Sequence, residues 1–199
     1  MKRRLFALAL ALLLAVSLPV SALARDWYID EGDITIRATE NGQTVSQGDT
    51  TEADDAPVIK QKDSSKSTSN TITIDAEEKT TANVTLDGVN IDASSREEKT
   101  AGIRTTGDGN VTIELDGNNS VKSAADAAGL QKNNSGNLTI KDGNTTAGKL
   151  EATGGRGGAG IGGGANESAS NITITGGEII ATGGNGGAGI GGGRDSGPN

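Results

Sequence analysis

The sequence contains no cysteine and no histidine, three prolines, and one residue each of methionine, tryptophan, tyrosine and phenylalanine. Without cysteine there are no disulfide staples and no thiolate metal centres. Without histidine the commonest general base, the commonest zinc ligand and any imidazole switch near neutral pH are gone. Phe6 lies in the N-terminal apolar run, so beyond that run only Trp27 and Tyr28 are aromatic. Aromatic rings supply the largest burial per residue, so a core in this chain has to be assembled from aliphatic side chains.

The N-terminus reads as a secretory signal. "MKRR" is basic, "LFALALALLLAVSL" is apolar, and Ala22 and Ala24 put small residues where a signal peptidase inspects them. Cleavage is expected before Arg25, leaving a mature chain with no membrane span, because polar sequence begins at once. The protein is expected to be secreted and extracellular, in part associated with the cell wall. Losing Lys2, Arg3 and Arg4 takes the 18 basic residues to 15 against 26 acidic ones, a net charge of −11. That balance excludes nucleic acid, whose phosphates need a basic face.

What the chain has in quantity is glycine, 31 residues of it. The strings "ATGGRGGAGIGGG" (152–164) and "ATGGNGGAGIGGG" (181–193) differ only at Arg156 and Asn185, and eight of thirteen residues in each are glycine. Glycine costs roughly 0.5–1 kcal/mol against alanine in regular structure, so it is tolerated only where φ is positive or where backbones pass too close for a Cβ. We expect these strings at tight corners, with only Ala159/Ile161 and Ala188/Ile190 pointing inward. A flexible linker would not keep an apolar residue at one place in both copies.

A repeat runs through the whole second half. "NVTL" (83–86), "NVTI" (110–113), "NLTI" (137–140) and "NITI" (171–174) share Asn–aliphatic–Thr–aliphatic, and "AGI" or "AGL" recurs at 101–103, 128–130, 159–161 and 188–190. Between them lies a second strand-like piece after a glycine turn: "GVNIDA" (88–93), "GNNSVKS" (117–123), "GKLEAT" (148–153), "GEIIAT" (177–182). "TITI" at 71–74 precedes the first unit. Alternation puts the aliphatics on one face and a threonine ladder, Thr85, Thr112, Thr139 and Thr173, on the other. Three short strands per unit describe an all-β fold, a parallel β-helix (β-solenoid) of about four to five rungs, right-handed by general chirality. A lone rung buries too little to offset the ordering of its backbone, so the fold exists only as an array.

The expected organisation is a signal peptide at 1–24, an N-terminal β cap with a polar connection at 25–70, and repeats at 71–199. The cap is needed because a terminal rung exposes an unpaired edge, and Trp27 and Tyr28 have the size to plug it. Beyond the last repeat no cover is seen in the sequence, so the array is expected to continue, or to dock its open end, with end-to-end self-association as one form of this.

Candidate site residues are few. Trp27, Tyr28, Arg104 and Arg156 are the candidates for ligand contact, the two arginines because they fall at corners. "GRGGAG" (155–160) and "GNGGAG" (184–189) satisfy G-x-G-x-x-G, but no helix pattern follows to receive a pyrophosphate. The β-roll calcium pattern GGxGxD fails at Ala159 and Ala188. Asp54, Asp55 and Asp116 remain as turn carboxylates able to bind calcium, the alternative being solvated turn residues and no cofactor. No rung places paired carboxylates beside a base in the way glycan-cleaving sites require.

The string "NITITGGEIIATGGNGGAGIGGG", together with "DWYIDEGDITI", resembles the glycine-rich β-helix repeat proteins of Firmicutes cell surfaces. It is distantly similar to the carbohydrate-binding β-helix domains of clostridial secretomes. The first resemblance implies a structural or adhesive, non-catalytic surface solenoid. The second implies a polysaccharide-binding module, calcium-assisted in some cases, with polysaccharide or a host or cell-wall surface as partner. A lyase-like enzyme is the third reading.

Overall fold

The computed structural model describes residues 25–197, so the expected signal peptide at 1–24 lies outside the described residues. The chain winds as a β-solenoid of six coils, almost wholly β, with one short 3-10 turn at Ile29–Glu31. Among the described residues no helix is long and apolar enough to cross a membrane.

Each complete coil contributes to three parallel faces. The first stacks Asp26–Tyr28, Val58–Lys60, Thr81–Asp87, the 110–116 half of Asn110–Lys122, Leu138–Lys141 and Ile172–Ile174. The second stacks Asn90–Asp92, the 117–122 half of the same long strand, Gly148–Thr153 and Glu178–Thr182. The third stacks Ile34–Thr39, Ile72–Ala76, Ile103–Gly107, Leu130–Lys132, Ile161–Gly162 and Ile190–Gly191. The aliphatic column Ile34–Ile72–Ile103–Leu130–Ile161–Ile190 therefore runs the length of the molecule. All its members are buried except Ile190, in the last coil described, which is 48% exposed.

The coil count exceeds the expected four to five because residues 26–39 and 58–76 form two coils of their own. Their strands on the first face are only three residues long, Asp26–Tyr28 and Val58–Lys60, and lack the Asn–aliphatic–Thr signature. The hairpin Gly42–Gln47/Thr50–Ala53 is inserted between them and pairs antiparallel on Ile34–Thr39, covering that edge. Trp27 stacks beneath Ile59 and Leu86 and is 3% exposed, a plug for the first coil. Its indole N–H donates to Asp54 Oδ2 at 2.9 Å. Gln43 does a strand's work with its side chain. Its amide accepts from Asn83 N–H at 2.8 Å and donates to the Asn83 carbonyl at 2.9 Å, pairing an edge that the short strand Val58–Lys60 leaves open.

The threonine ladder is shorter than the sequence repeat implies. Thr112, Thr139 and Thr173 are in register, but Thr112 stacks on Asn83, and Thr85 stacks beside Glu114. "NVTL" is thus displaced by two residues from the other three copies. A slip of two keeps every side chain on its face, so the aliphatic pattern tolerates it: Ile113 lies over Val84 and Leu115 over Leu86.

The glycine strings form the corner before the third face. A Cβ at Gly155 would lie 1.8 Å from the Ala124 carbonyl oxygen, one at Gly184 1.8 Å from that of Gly155, and one at Gly158 1.8 Å from that of Ala127. Successive coils lie Cα on carbonyl there, and only glycine fits. Four residues before the column aliphatic of each of the last four corners, φ is positive: 67° at Lys99, 61° at Asp126, 85° at Gly157 and 87° at Gly186. The last two corners meet that demand with glycine, the earlier two with lysine and aspartate at a conformational cost.

Polar residues interrupt the interior columns at Asn119 and Lys132, as well as at the fully buried Thr105. Asn119, between Val89 and Leu150, spends its amide on Val89 N–H and the Asp116 and Lys149 carbonyls. Lys132 continues the column Ile36–Ile74–Thr105 and is 6% exposed, its ammonium donating to the Asn134 carbonyl. Burial pushes Lys132 below the ordinary lysine value of 10.5. Between that lowered value and 10.5 the unfolded chain binds more protons than the folded one, so this group makes stability rise with pH across the window. Lys132→Met is expected to stabilise the fold by about 1–3 kcal/mol at neutral pH. In pH-resolved thermal melts, that gain should shrink as pH approaches 10.5.

Candidate functional site

The most structured polar site lies on the outer side of the third face. There alternation turns Thr73, Arg104 and Gln131 outward in one row, with Asp75, Thr106 and Asn133 in the next. The corner carrying Lys99 and the corner carrying Asp126 form one wall. The loop 163–167, which follows Ile161–Gly162, folds back as the other. Together Lys99, Arg104, Thr106, Asp126, Gln131, Asn133, Ala165 and Glu167 enclose a hollow of about 180 Å³. A second hollow of about 230 Å³, lined by Thr71, Thr73 and Thr100, adjoins it across Lys99 and Arg104, which line both.

Hydrogen bonds set the walls. Glu167 Oε2 accepts from Gln131 Nε2 at 2.8 Å, Asn133 Nδ2 at 3.1 Å and Gly164 N–H at 3.1 Å, which pins the loop over the face. Arg104 donates one N–H to the Lys99 carbonyl, drawing the two cations to one place. Asp126 is fixed by its backbone, which donates to the Arg156 carbonyl at 2.7 Å and accepts from Ala165 N–H at 3.0 Å. Its carboxylate lies 4.0 Å from Arg156 and 3.9 Å from Arg194, attracted without a hydrogen bond. Asp126 Oδ1 is the one buried side-chain polar atom among the described residues with no hydrogen-bond partner. A buried acceptor without a donor is expensive, and this one belongs to a residue lining a hollow.

Of the residues chosen from sequence, Arg104 lies at the centre of this groove, and Arg156 stands behind Asp126, also facing Glu98 at 3.7 Å. Trp27 and Tyr28 are at the other end of the molecule. Trp27 is sealed in the core, and the Lys62 ammonium covers the Tyr28 ring at 5.1 Å from its centroid. Neither is an open stacking platform, although both border a polar hollow of about 400 Å³ with Arg25, Glu31 and Gln47.

The three candidate calcium ligands do not converge. Asp54 is 1% exposed and accepts from Trp27 Nε1, Arg25 N–H and Ala56 N–H. Asp55 accepts from Gln43 N–H, and Asp116 accepts from Asn144. No group of three or more acidic side chains that could hold a metal occurs among the described residues. Asp54 is instead a structural tie. Asp54→Ala is expected to strand three donors, to destabilise the fold by about 1–3 kcal/mol, and to red-shift the emission of Trp27, which as the sole tryptophan gives an unambiguous reading.

A further polar hollow, of about 280 Å³, lies on the first face around Glu114 and Lys141. Burial alone would raise the Glu114 carboxyl. Lys141 at 2.7 Å and N–H donation from Gly143 and Asn144 outweigh it and hold the group below its ordinary 4.5. With its charge met on every side, Glu114 is a strut for the loop above it.

Lys99, Asp126, Asn133 and Glu167 were not singled out by sequence reasoning. For the first two a signal existed: aligning the AGI and AGL elements puts Lys99, Asp126, Gly157 and Gly186 in one column, and non-glycine residues at a positive-φ corner stand out there. Asn133 and Glu167 meet only through the fold. Comparisons with known protein families, with curated proteins and with solved structures return no match.

Proposed function

We propose that the chain is an exported, non-catalytic β-solenoid with a structural and adhesive role at a cell or wall surface. The supporting observation is the wall of the molecule. Its outer rows are threonines, amides and paired charges, laid on an interior of continuous aliphatic columns. Such a coil stack is stiff, and it presents the same chemistry at a fixed repeat, as a spacer or adhesive module requires. Beads carrying the mature chain are expected to be retained on isolated cell-wall material or host-cell monolayers above the level of albumin-coated beads. Equal retention would count against adhesion.

A second reading, polysaccharide binding, is favoured by the groove over Arg104. Its hydrogen-bonding side chains are held by the backbone and by one another, and two hollows adjoin along the face. Pre-ordered polar groups of this kind suit hydroxyl-rich ligands, since little rotamer freedom is left to lose on binding.

A further inference from the structure

Asp54 is the one acidic residue sealed from solvent among the described residues, at 1% exposed. It sits where the inserted hairpin returns to the stack. Its N–H donates to the Gln43 carbonyl at 3.0 Å, and its carbonyl accepts from the Gln43 amide at 3.0 Å. Its two carboxylate oxygens accept three N–H groups, from Trp27 Nε1, Ala56 and Arg25. None of these donors carries a charge while residue 25 is joined to residue 24. Among the described residues no lysine or arginine side chain forms an ion pair with Asp54, and the Arg25 guanidinium is paired with Glu52. A buried carboxylate without a counter-charge is costly.

We propose that Asp54 is the binding site for the mature chain's own N-terminal ammonium, so that removal of the signal segment completes the N-terminal cap. The proposal rests on the exported reading above. The Arg25 donor is a main-chain nitrogen 3.3 Å from Asp54 Oδ2, and it is the atom that cleavage before Arg25 changes. Hydrolysis by a signal peptidase breaks the C–N bond between Ala24 and Arg25 and consumes one water. Ala24 leaves with a carboxylate, and Arg25 keeps an amine that takes up a proton, since α-amino groups titrate at about 7.7–8.0. Residue 25 need not move, because Val58 N–H donates to its carbonyl at 3.0 Å and fixes it at the head of the first strand. A neutral hydrogen bond thus becomes a charge-assisted one, roughly twice as strong. Arg25 is exposed and borders the polar hollow of about 400 Å³, which leaves water for the hydrogens that the carboxylate does not take. The pair joins the first strand to the end of the hairpin, the two pieces that close the first coil.

The test compares thermal melts of chains released from a cleavable fusion so as to begin at Arg25 or, four residues earlier, at Ser21. The chain beginning at Arg25 is expected to melt about 3 °C or more higher. Asp54→Asn, which keeps a side-chain acceptor and removes the charge, should abolish the difference. Asp49→Asn, on the exposed hairpin turn, should preserve it. Equal melts of the two parent chains, or a difference that survives Asp54→Asn, would overturn the ammonium site. Should Asp54→Asn fail to fold, labelling of the parent α-amine by an activated ester at neutral pH, located by mass spectrometry, decides the matter. The folded chain is expected to react about tenfold more slowly than the chain in urea, and equal rates would overturn the site. The exported reading is tested apart from this, by secreting residues 1–199 from a bacterial host and sequencing the N-terminus of the product. Cleavage at another bond, or none, overturns that reading and the processing role with it. Cleavage before Arg25 together with equal melts overturns the ammonium site alone.

Discussion

The Ile113→Asp variant is expected to lose its cooperative thermal transition. Ile113 is fully buried between Val84 below and Ile140 above, in the column that continues to Ile174. A carboxylate there has no donor within the column, and it breaks the apolar contact of both adjoining coils at once. The cost of an unpaired buried charge, about 4–5 kcal/mol or more, is comparable with the whole stability of a domain, about 5–15 kcal/mol. Because each coil is stable only through its neighbours, the loss spreads along the stack. Thr112→Lys, one residue away on the outer face, is expected to stay within about 0.5 kcal/mol of the parent. Far-ultraviolet circular dichroism melts of the two variants separate inward from outward positions on a single strand.

Gly155→Ala is expected to be nearly as damaging, although it adds only one methyl group to a residue on a corner. The added carbon would stand 1.8 Å from the Ala124 oxygen and 2.4 Å from its carbonyl carbon. Both are backbone atoms of the coil below, so no side chain can rotate away, and the coils must separate. That separation stretches the bond from Gly155 N–H to the Ala127 carbonyl, 3.0 Å in the native stack. A loss of about 3 kcal/mol or more is expected, at the upper end of overpacking costs. Gly197→Ala, where a Cβ meets nothing within 4 Å, is the control and should leave the melt unchanged. If both variants melt like the parent, the glycine strings serve flexibility instead of close coil contact.

The fold class was legible because a solenoid repeats its physics in its sequence. The columns through Ile103, Leu130, Ile161 and Ile190 are the AGI and AGL elements themselves. The two N-terminal coils were hidden because they are built from three-residue strands, with a hairpin between them that breaks the period. The displacement of "NVTL" was hidden for another reason. Alternation has a period of two, so a shift of two residues leaves the pattern of buried positions intact, and only the pairing of Asn83 with Thr112 reveals it. At the candidate site, Arg104 was visible as a corner cation. Its companions were not, because Lys99, Asp126 and Glu167 are far apart in the chain and are gathered by two successive coils and a returning loop.

Cross-linking tests the coil register most directly, since the chain has no cysteine of its own. Parallel neighbours stand about 4.8 Å apart, and a two-residue offset raises the separation to about 8 Å, beyond the roughly 7 Å that a disulfide spans. Cysteines introduced together at Asn83→Cys and Thr112→Cys are predicted to form an intramolecular disulfide on mild oxidation of the folded chain. The pair Thr85→Cys and Thr112→Cys, which the repeated motif would align, is predicted to remain reduced. Closure of the second pair in place of the first, or of neither, would contradict the stacking on which every other assignment depends.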